Sequence, residues 1–244
     1  SVMLSRWEDL YRVYRDIRLF SSDKKVEFLP KFGPSPLYDH HTTSLVFNDP
    51  PLHTRVRKIM VGAMTPKAIA ALEPGLVALV DRLLDHVAEK NEVDLVTDFA
   101  AAIPVEVIGN LFDIPHEERG PLRDWSLAVL GALEPVLSPA QQEGGNRAVT
   151  AFKAFLKDIA DARRKAPGDP ATDVLTRLIN GNEGELLSEE ELLQNCIFIL
   201  NAGHETTTNL IGNALYELLE WPVERQRLLA DPGLIPTAVA EFLR

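Results

Sequence analysis

A mainly α-helical fold is what the sequence predicts, on three observations. Apolar residues recur at helical spacing over most of the 244 residues, Pro and Gly interrupt that pattern at intervals, and only residues 2–4 and 93–96 read as strands, so any sheet is minor. No internal repeat or low-complexity tract is present, and nothing on either side of the 166–171 loop looks self-sufficient, so 1–244 is expected to form a single domain.

The elements follow in order. A short helix over 6–16 precedes a segment, 21–48, rich in Pro, Gly, Ser and Thr, expected to be a long binding loop. Asp49, a good N-cap, and Pro50-Pro51, suited to a first helical turn, start a helix that ends near Ala63. Amphipathic patterns then cover 66–90, 98–112, 116–133, 139–165, 173–180, 188–220, 222–230 and 234–244.

Composition excludes several classes of function. The chain is 45% hydrophobic, enough for a core, and its net charge of -11 disfavours nucleic acid and anionic membrane, whose phosphates repel such a chain. Cys196 is the lone cysteine, so no intrachain disulfide and no cysteine-built zinc or iron–sulfur site can form, which suits a reducing, cytoplasmic setting. No stretch has the make-up of a secretory signal or a membrane span; the most apolar, 192–203, contains Gln194, Asn195 and Asn201 and reads as a buried helix.

The 188–220 pattern is the informative one. Ser188 and Glu191 form a capping box, and about 32 residues then run without a stop, about 48 Å at the standard helical rise. Midway, Ala202-Gly203-His204-Glu205-Thr206-Thr207-Thr208-Asn209 breaks an apolar helix with polar, poor helix formers. Small Ala202 and Gly203 would let a flat ligand or a diatomic molecule approach the backbone, and Thr206 can bond back to the Ala202 carbonyl, bending the helix and opening a groove. Glu205 and Thr206 set a carboxylate beside a hydroxyl, the parts of a proton path. Against this stands a plain packing role for the threonines, with His204-Glu205 a surface pair. Zinc-protease chemistry is excluded because no second His follows at the required spacing.

His53 and Arg57 lie four apart and share a helix face near an N-terminus, a cationic fork that fits a carboxylate; a solvated pair is the alternative. His40-His41 reads as solvent-facing or pocket-lining, His86 and His116 as ordinary surface or cap residues, and Cys196 as a buried structural thiol.

Ala202-Gly203-His204-Glu205-Thr206-Thr207 resembles the oxygen-binding motif Ala/Gly-Gly-x-Asp/Glu-Thr-Thr/Ser of the cytochrome P-450 family. Asn48-Asp49-Pro50-Pro51-Leu52-His53-Thr54-Arg55-Val56-Arg57 is similar to the bacterial family's Asp-Pro-Pro-x-His-x-x-x-Arg segment, and Glu241-Phe242-Leu243-Arg244 to its Glu-x-x-Arg element. Glu224-Arg225-Gln226-Arg227 also fits that last pattern but stands in the wrong place, since the family's copy follows an Asp-Pro turn, here Asp231-Pro232.

The resemblance implies a cytochrome P-450-like helical fold and a haem-dependent monooxygenase that inserts one oxygen atom from dioxygen into a small apolar organic substrate. Its cofactor would be haem b, its electron donor a ferredoxin or flavoprotein reductase. Glu205 and Thr206 would be the catalytic acid–alcohol pair; His53, Arg57, Ala202, Gly203, Thr206 and Thr207 would contact haem; Glu241 and Arg244 would form a structural ion pair; and 34–47 with 125–137 would line the substrate pocket.

By the same resemblance the chain is a partial domain, from just before the B helix to the Glu-x-x-Arg helix. The axial cysteine loop is missing from it, and Cys196 belongs to the wrong, distal helix. It is therefore expected to bind haem weakly or not at all, to be inactive alone, and to risk self-association through exposed apolar surface. A non-catalytic helical binding or interaction module built on the same fold is the competing reading.

Overall fold

The computed structural model describes residues 3–244, and among these there is no strand, only an isolated bridge between Asn182 and Glu185. Neither expected strand is seen among the described residues. Residues 2–4 begin outside the described residues, and Met3 and Leu4 carry no strand. At 93–96 the Asp94 carboxylate accepts from the backbone N–H groups of Val96 (2.9 Å) and Thr97 (3.1 Å), which starts a helical turn of π type, Leu95–Ala100.

Helix α1 (Trp7–Arg15) buries none of its residues. The expected loop over 21–48 instead holds α2 (Lys25–Phe32), α3 (Pro36–Thr43) and a 3-10 turn, Leu45–Phe47. Ser35 caps α3 through the Tyr38 N–H, with Pro36 next in line, so the same Pro and Ser residues that read as loop open a short helix. Phe28, Phe32 and Leu37 then pack with Val129 and Val149 in a secondary core.

Helix α4 (Leu52–Ala63) follows, but Asp49 does not cap it. Its carboxylate accepts instead from Ser21 Oγ (2.5 Å) and Ser22 N–H (2.8 Å), tying the segment after α1 to the start of α4. The 66–90 pattern is split into α5 (Pro66–Ala70) and α6 (Glu73–Ala88), where Pro74, lacking an N–H, sits in the first turn of the new helix. Helices α7 (Ala102–Leu111), α8 (Gly120–Gly131), α9 (Pro139–Lys165) and α10 (Val174–Asn180) lead to α11 (Glu189–Glu220), then α12 (Pro222–Ala230) and α13 (Ile235–Phe242). Capping boxes, Ser138 with Gln141 and Ser188 with Glu191, fix the starts of α9 and α11 where the sequence places them.

The main core surrounds the first half of α11. Leu193, Cys196, Ile197 and Leu200 pack with Ile59 of α4, Phe112 beyond α7, Phe152 of α9 and Leu175 of α10. No residue of α11 after Thr208 is buried, nor any of α12 or α13.

His40 and His41 correct the surface reading: both are buried at 3% exposure. The His40 ring has a protein partner: its Nδ1 meets Gln194 Oε1 at 2.8 Å. Gln194 Nε2 donates to Glu190 (2.7 Å), which in turn takes Lys153 at 2.8 Å, so a polar chain runs from the core to the surface. Since the amide nitrogen is used on Glu190, Gln194 presents its oxygen, and His40 is neutral with its proton on Nδ1. Burial, only partly opposed by this hydrogen bond, pushes the His40 pKa down to about 4.

A buried Arg119 is the other polar anchor. It donates to the Ile114 carbonyl (2.9 Å), the Glu106 carboxylate (2.6 Å) and Asn110 Oδ1 (2.8 Å). Gly109 makes room for it: a Cβ there would lie 2.3 Å from Arg119 Nε.

Replacing Arg119 with Met should therefore lower unfolding free energy by about 3 kcal/mol or more in urea titrations, because Glu106 and the Ile114 carbonyl lose their partner inside the protein; a loss under 1 kcal/mol would contradict the anchor. His40 gives a second expectation. Its folded pKa lies below the unfolded value near 6.5, so its contribution is complete above pH 6.5 and is lost as pH falls toward 4, on the order of 3 kcal/mol in all. His40→Gln should flatten that part of the stability–pH curve, and an unaltered slope between pH 6.5 and 4 would count against it.

Candidate functional site

The α4 face comes first. His53 is half-buried and Arg57 exposed, one turn apart on the same side. Among the described residues neither makes a side-chain hydrogen bond or an ion pair, which leaves a pair of free nitrogen donors side by side. Arg55, on another side of α4, instead bonds the Leu186 carbonyl at 3.0 Å and pairs with Glu191, which pins α4 to the N-terminal turn of α11.

On α11 the motif residues separate by face. Ala202, Glu205 and Thr206 are exposed, Gly203 and Thr207 half-buried, His204 and Thr208 buried. Spacing explains this: Ile197, Leu200, Asn201, His204 and Thr208 follow the inward stripe at three- and four-residue steps, which carries 202, 205 and 206 to the opposite side. His204-Glu205 is thus no surface pair, because only Glu205 reaches solvent.

Thr206 Oγ1 donates to the Ala202 carbonyl at 2.9 Å, as the sequence suggests, and Thr208 Oγ1 does the same to His204 at 3.0 Å. Helical hydrogen bonding nevertheless continues through the motif. Gly203 also has a different immediate neighbour from the one expected. A Cβ there would come within 2.6 Å of Ile108 Cδ1, so the missing side chain lets α7 close on α11.

Glu241 and Arg244 form an ion pair of 2.6 Å, and Glu224 with Arg227 a longer one of 3.5 Å; all four side chains are well exposed. The two pairs border one groove of about 890 Å³ between the end of α11, α12 and α13, with Tyr216, Trp221 and Leu228 on its walls. Residues 34–47 and 125–137 are partly withdrawn from any open pocket: Leu37, His40, His41, Ser126 and Val129 are all buried. Cys196 lies in the core, and burial pushes its thiol pKa up to about 12, so it stays protonated.

His204 and Arg119 are the residues that motif reading passes over. The inward stripe of α11 was a usable signal for His204, whereas nothing in the spacing around Arg119 marks it as buried. No single helix is long and apolar enough to cross a membrane.

A family model for cytochrome P450 matches residues 124–231. The chain is 36% identical over 228 residues to cytochrome P450 107B1 of Saccharopolyspora erythraea, covering 93% of this chain and 52% of that protein. It is 35% identical to the vitamin D(3) 25-hydroxylase of Pseudonocardia autotrophica, covering 99% of this chain and 58% of the relative. Among solved structures, P450BioI in complex with an acyl carrier protein ligated to hexadec-9Z-enoic acid superposes with a TM-score of 0.87 at 30% identity, over 97% of this chain and 60% of that one. CalO2 gives a TM-score of 0.90 at 27% identity, over 98% of this chain and 60% of its own. The chain thus spans between half and three fifths of the length of these relatives. The relatives match nearly the whole length of this chain, the motif helix and the α4 segment included, and over the stretch it spans this chain belongs to the cytochrome P450 family.

Proposed function

We propose that this stretch forms the distal, oxygen-side part of a haem-dependent monooxygenase. One observation carries the reading: where α11 leaves the core, Ala202, Glu205 and Thr206 share an exposed face, and Thr206 keeps its hydroxyl on the Ala202 carbonyl. Haem, when bound, supplies an iron at which dioxygen is reduced and one of its atoms passes to an organic substrate.

The residues here fit that group in kind. His53 and Arg57, without partners of their own, suit two carboxylate side arms through charge-assisted hydrogen bonds. Ala202 would keep side-chain bulk off such a group, while Thr206 would hold a proton on Oγ1 and Glu205 would pass one from solvent. Cys196, protonated and enclosed, offers no thiolate to iron. Glu241 and Arg244 form the ion pair of the Glu-x-x-Arg element, at the last turn of α13.

An electron donor of the ferredoxin or flavoprotein type and a small apolar organic substrate complete the reading, with cytoplasmic residence. Acyl chains presented on a carrier protein belong to the substrate classes to test, given the partner bound in the P450BioI structure. Self-association is a further part of the proposal, argued from Trp221, Leu229 and Leu243, which are exposed near the C-terminal groove.

Haem titration of this chain tests the first part. His53→Ala and Arg57→Ala should each weaken binding about tenfold, the scale of a charged hydrogen bond; unchanged titrations would remove the α4 fork from the site. Reduced under carbon monoxide, the same material should show no thiolate-type Soret shift, and its appearance would contradict the protonated Cys196. In an oxygenase that contains this stretch and a thiolate loop, Glu205→Gln or Thr206→Ala should lower product formation by about 10²-fold or more, the usual size of an acid–base contribution. Turnover at the parent rate with both changed would favour a binding module without oxygen chemistry.

A further inference from the structure

His204 is 5% exposed, and neither its Nδ1 nor its Nε2 has a hydrogen-bond partner; one turn earlier on the same stripe, Asn201 Oδ1 is also without one. Buried polar atoms are ordinarily hydrogen-bonded, so unpaired ones on neighbouring turns mark a place that suits a small polar partner. The ring borders a small void between α7, α8 and α11, walled by Val105, Ile108, Leu122 and Leu200 and open to solvent beside the exposed Arg123, with Ser126 and Arg123 supplying the polar groups. The space open to a water-sized sphere there is about 10 Å³, the size of a single water site. Ser126 is buried, and its hydroxyl makes no hydrogen bond to protein among the described residues.

We propose that this void is a binding site for one structural water molecule, which bridges the His204 ring to Ser126 Oγ and locks α8 to α11. The chemistry closes in either tautomer. A neutral imidazole offers one donor and one acceptor, a serine hydroxyl both, and a water can mediate between any such pair. Burial first, and the nearby Arg123 charge second, hold the His204 pKa below its ordinary value, against the pull of Glu205, which keeps the ring neutral. The lock sits on the turn that carries Glu205 and Thr206, and its catalytic weight rests on the haem reading above, whereas its existence does not.

A crystal structure of this chain at a resolution that orders waters is the direct test. Density within about 3 Å of one His204 nitrogen and of Ser126 Oγ is expected, and it should vanish in Ser126→Ala. An empty void, or a His204 ring bonded directly to another protein group, overturns the site. Unfolding titrations give the second arm. Ser126→Ala and His204→Phe should each reduce the folding equilibrium constant about tenfold, and the double variant should lose clearly less than the two combined. Strictly additive losses would show that the two residues share no bridge. Loss of haem binding through the α4 fork leaves both results unaffected, so the two proposals fail separately.

Discussion

Burial of the first half of α11 is the constraint to which the other helices conform. Ile197 is fully enclosed and Leu193, Cys196 and Leu200 nearly so, each large aliphatic side chain stabilising the fold by about 1.5–3 kcal/mol. Helices α3, α4, α7, α8, α9 and α10 surround that post, some on it directly and others through shared core residues. Past Thr208 the same helix leaves the core, with nothing buried from there to its end. A single element is thus both the centre of the hydrophobic core and, a few turns on, an open face. The motif residues stand at the transition, where the helix must satisfy packing on one side and present small and polar groups on the other.

That position explains why the core is more polar than its composition suggests. Gln194 and Asn195 are buried on α11, yet each has partners: Gln194 holds His40 and Glu190, and Asn195 accepts from the Leu45 N–H while donating to the Glu191 carbonyl. These bonds fasten α3 and the 3-10 turn after it to α11 in one register, which apolar contacts alone, being non-directional, do not specify. Arg119 does the same work for the turn after α7, and Arg55 for α4 against the start of α11. In each case a directional group fixes the orientation of an element whose hydrophobic face is short.

Several parts of this arrangement are legible in the residues and several are not. Helices α9 and α11 have long periodic patterns and reciprocal caps, and their bounds follow from those local signals. The Thr206 back-bond is equally local, since donor and acceptor lie one turn apart. By contrast α2 and α3 are too short to show a period, and their Pro, Ser and Gly residues read as loop until Phe28, Phe32 and Leu37 find Val129 and Val149 across the chain. Asp49 has the chemistry of a cap but a better use, because Ser21 and Ser22 come within reach only after folding.

By itself the sequence determined the helical class, the two long helices with their caps, and which residue types meet at positions 53, 57 and 202–207, since all of these depend on neighbours within a turn or so. Only the tertiary structure decided that His40, His41 and His204 point inward, that Gly203 admits Ile108, and that a helical turn starts at Leu95 in place of a strand over 93–96. The physical reason is that burial and hydrogen-bond partnership are set by groups often a hundred residues away, as with His40 and Gln194, and no local pattern carries that distance.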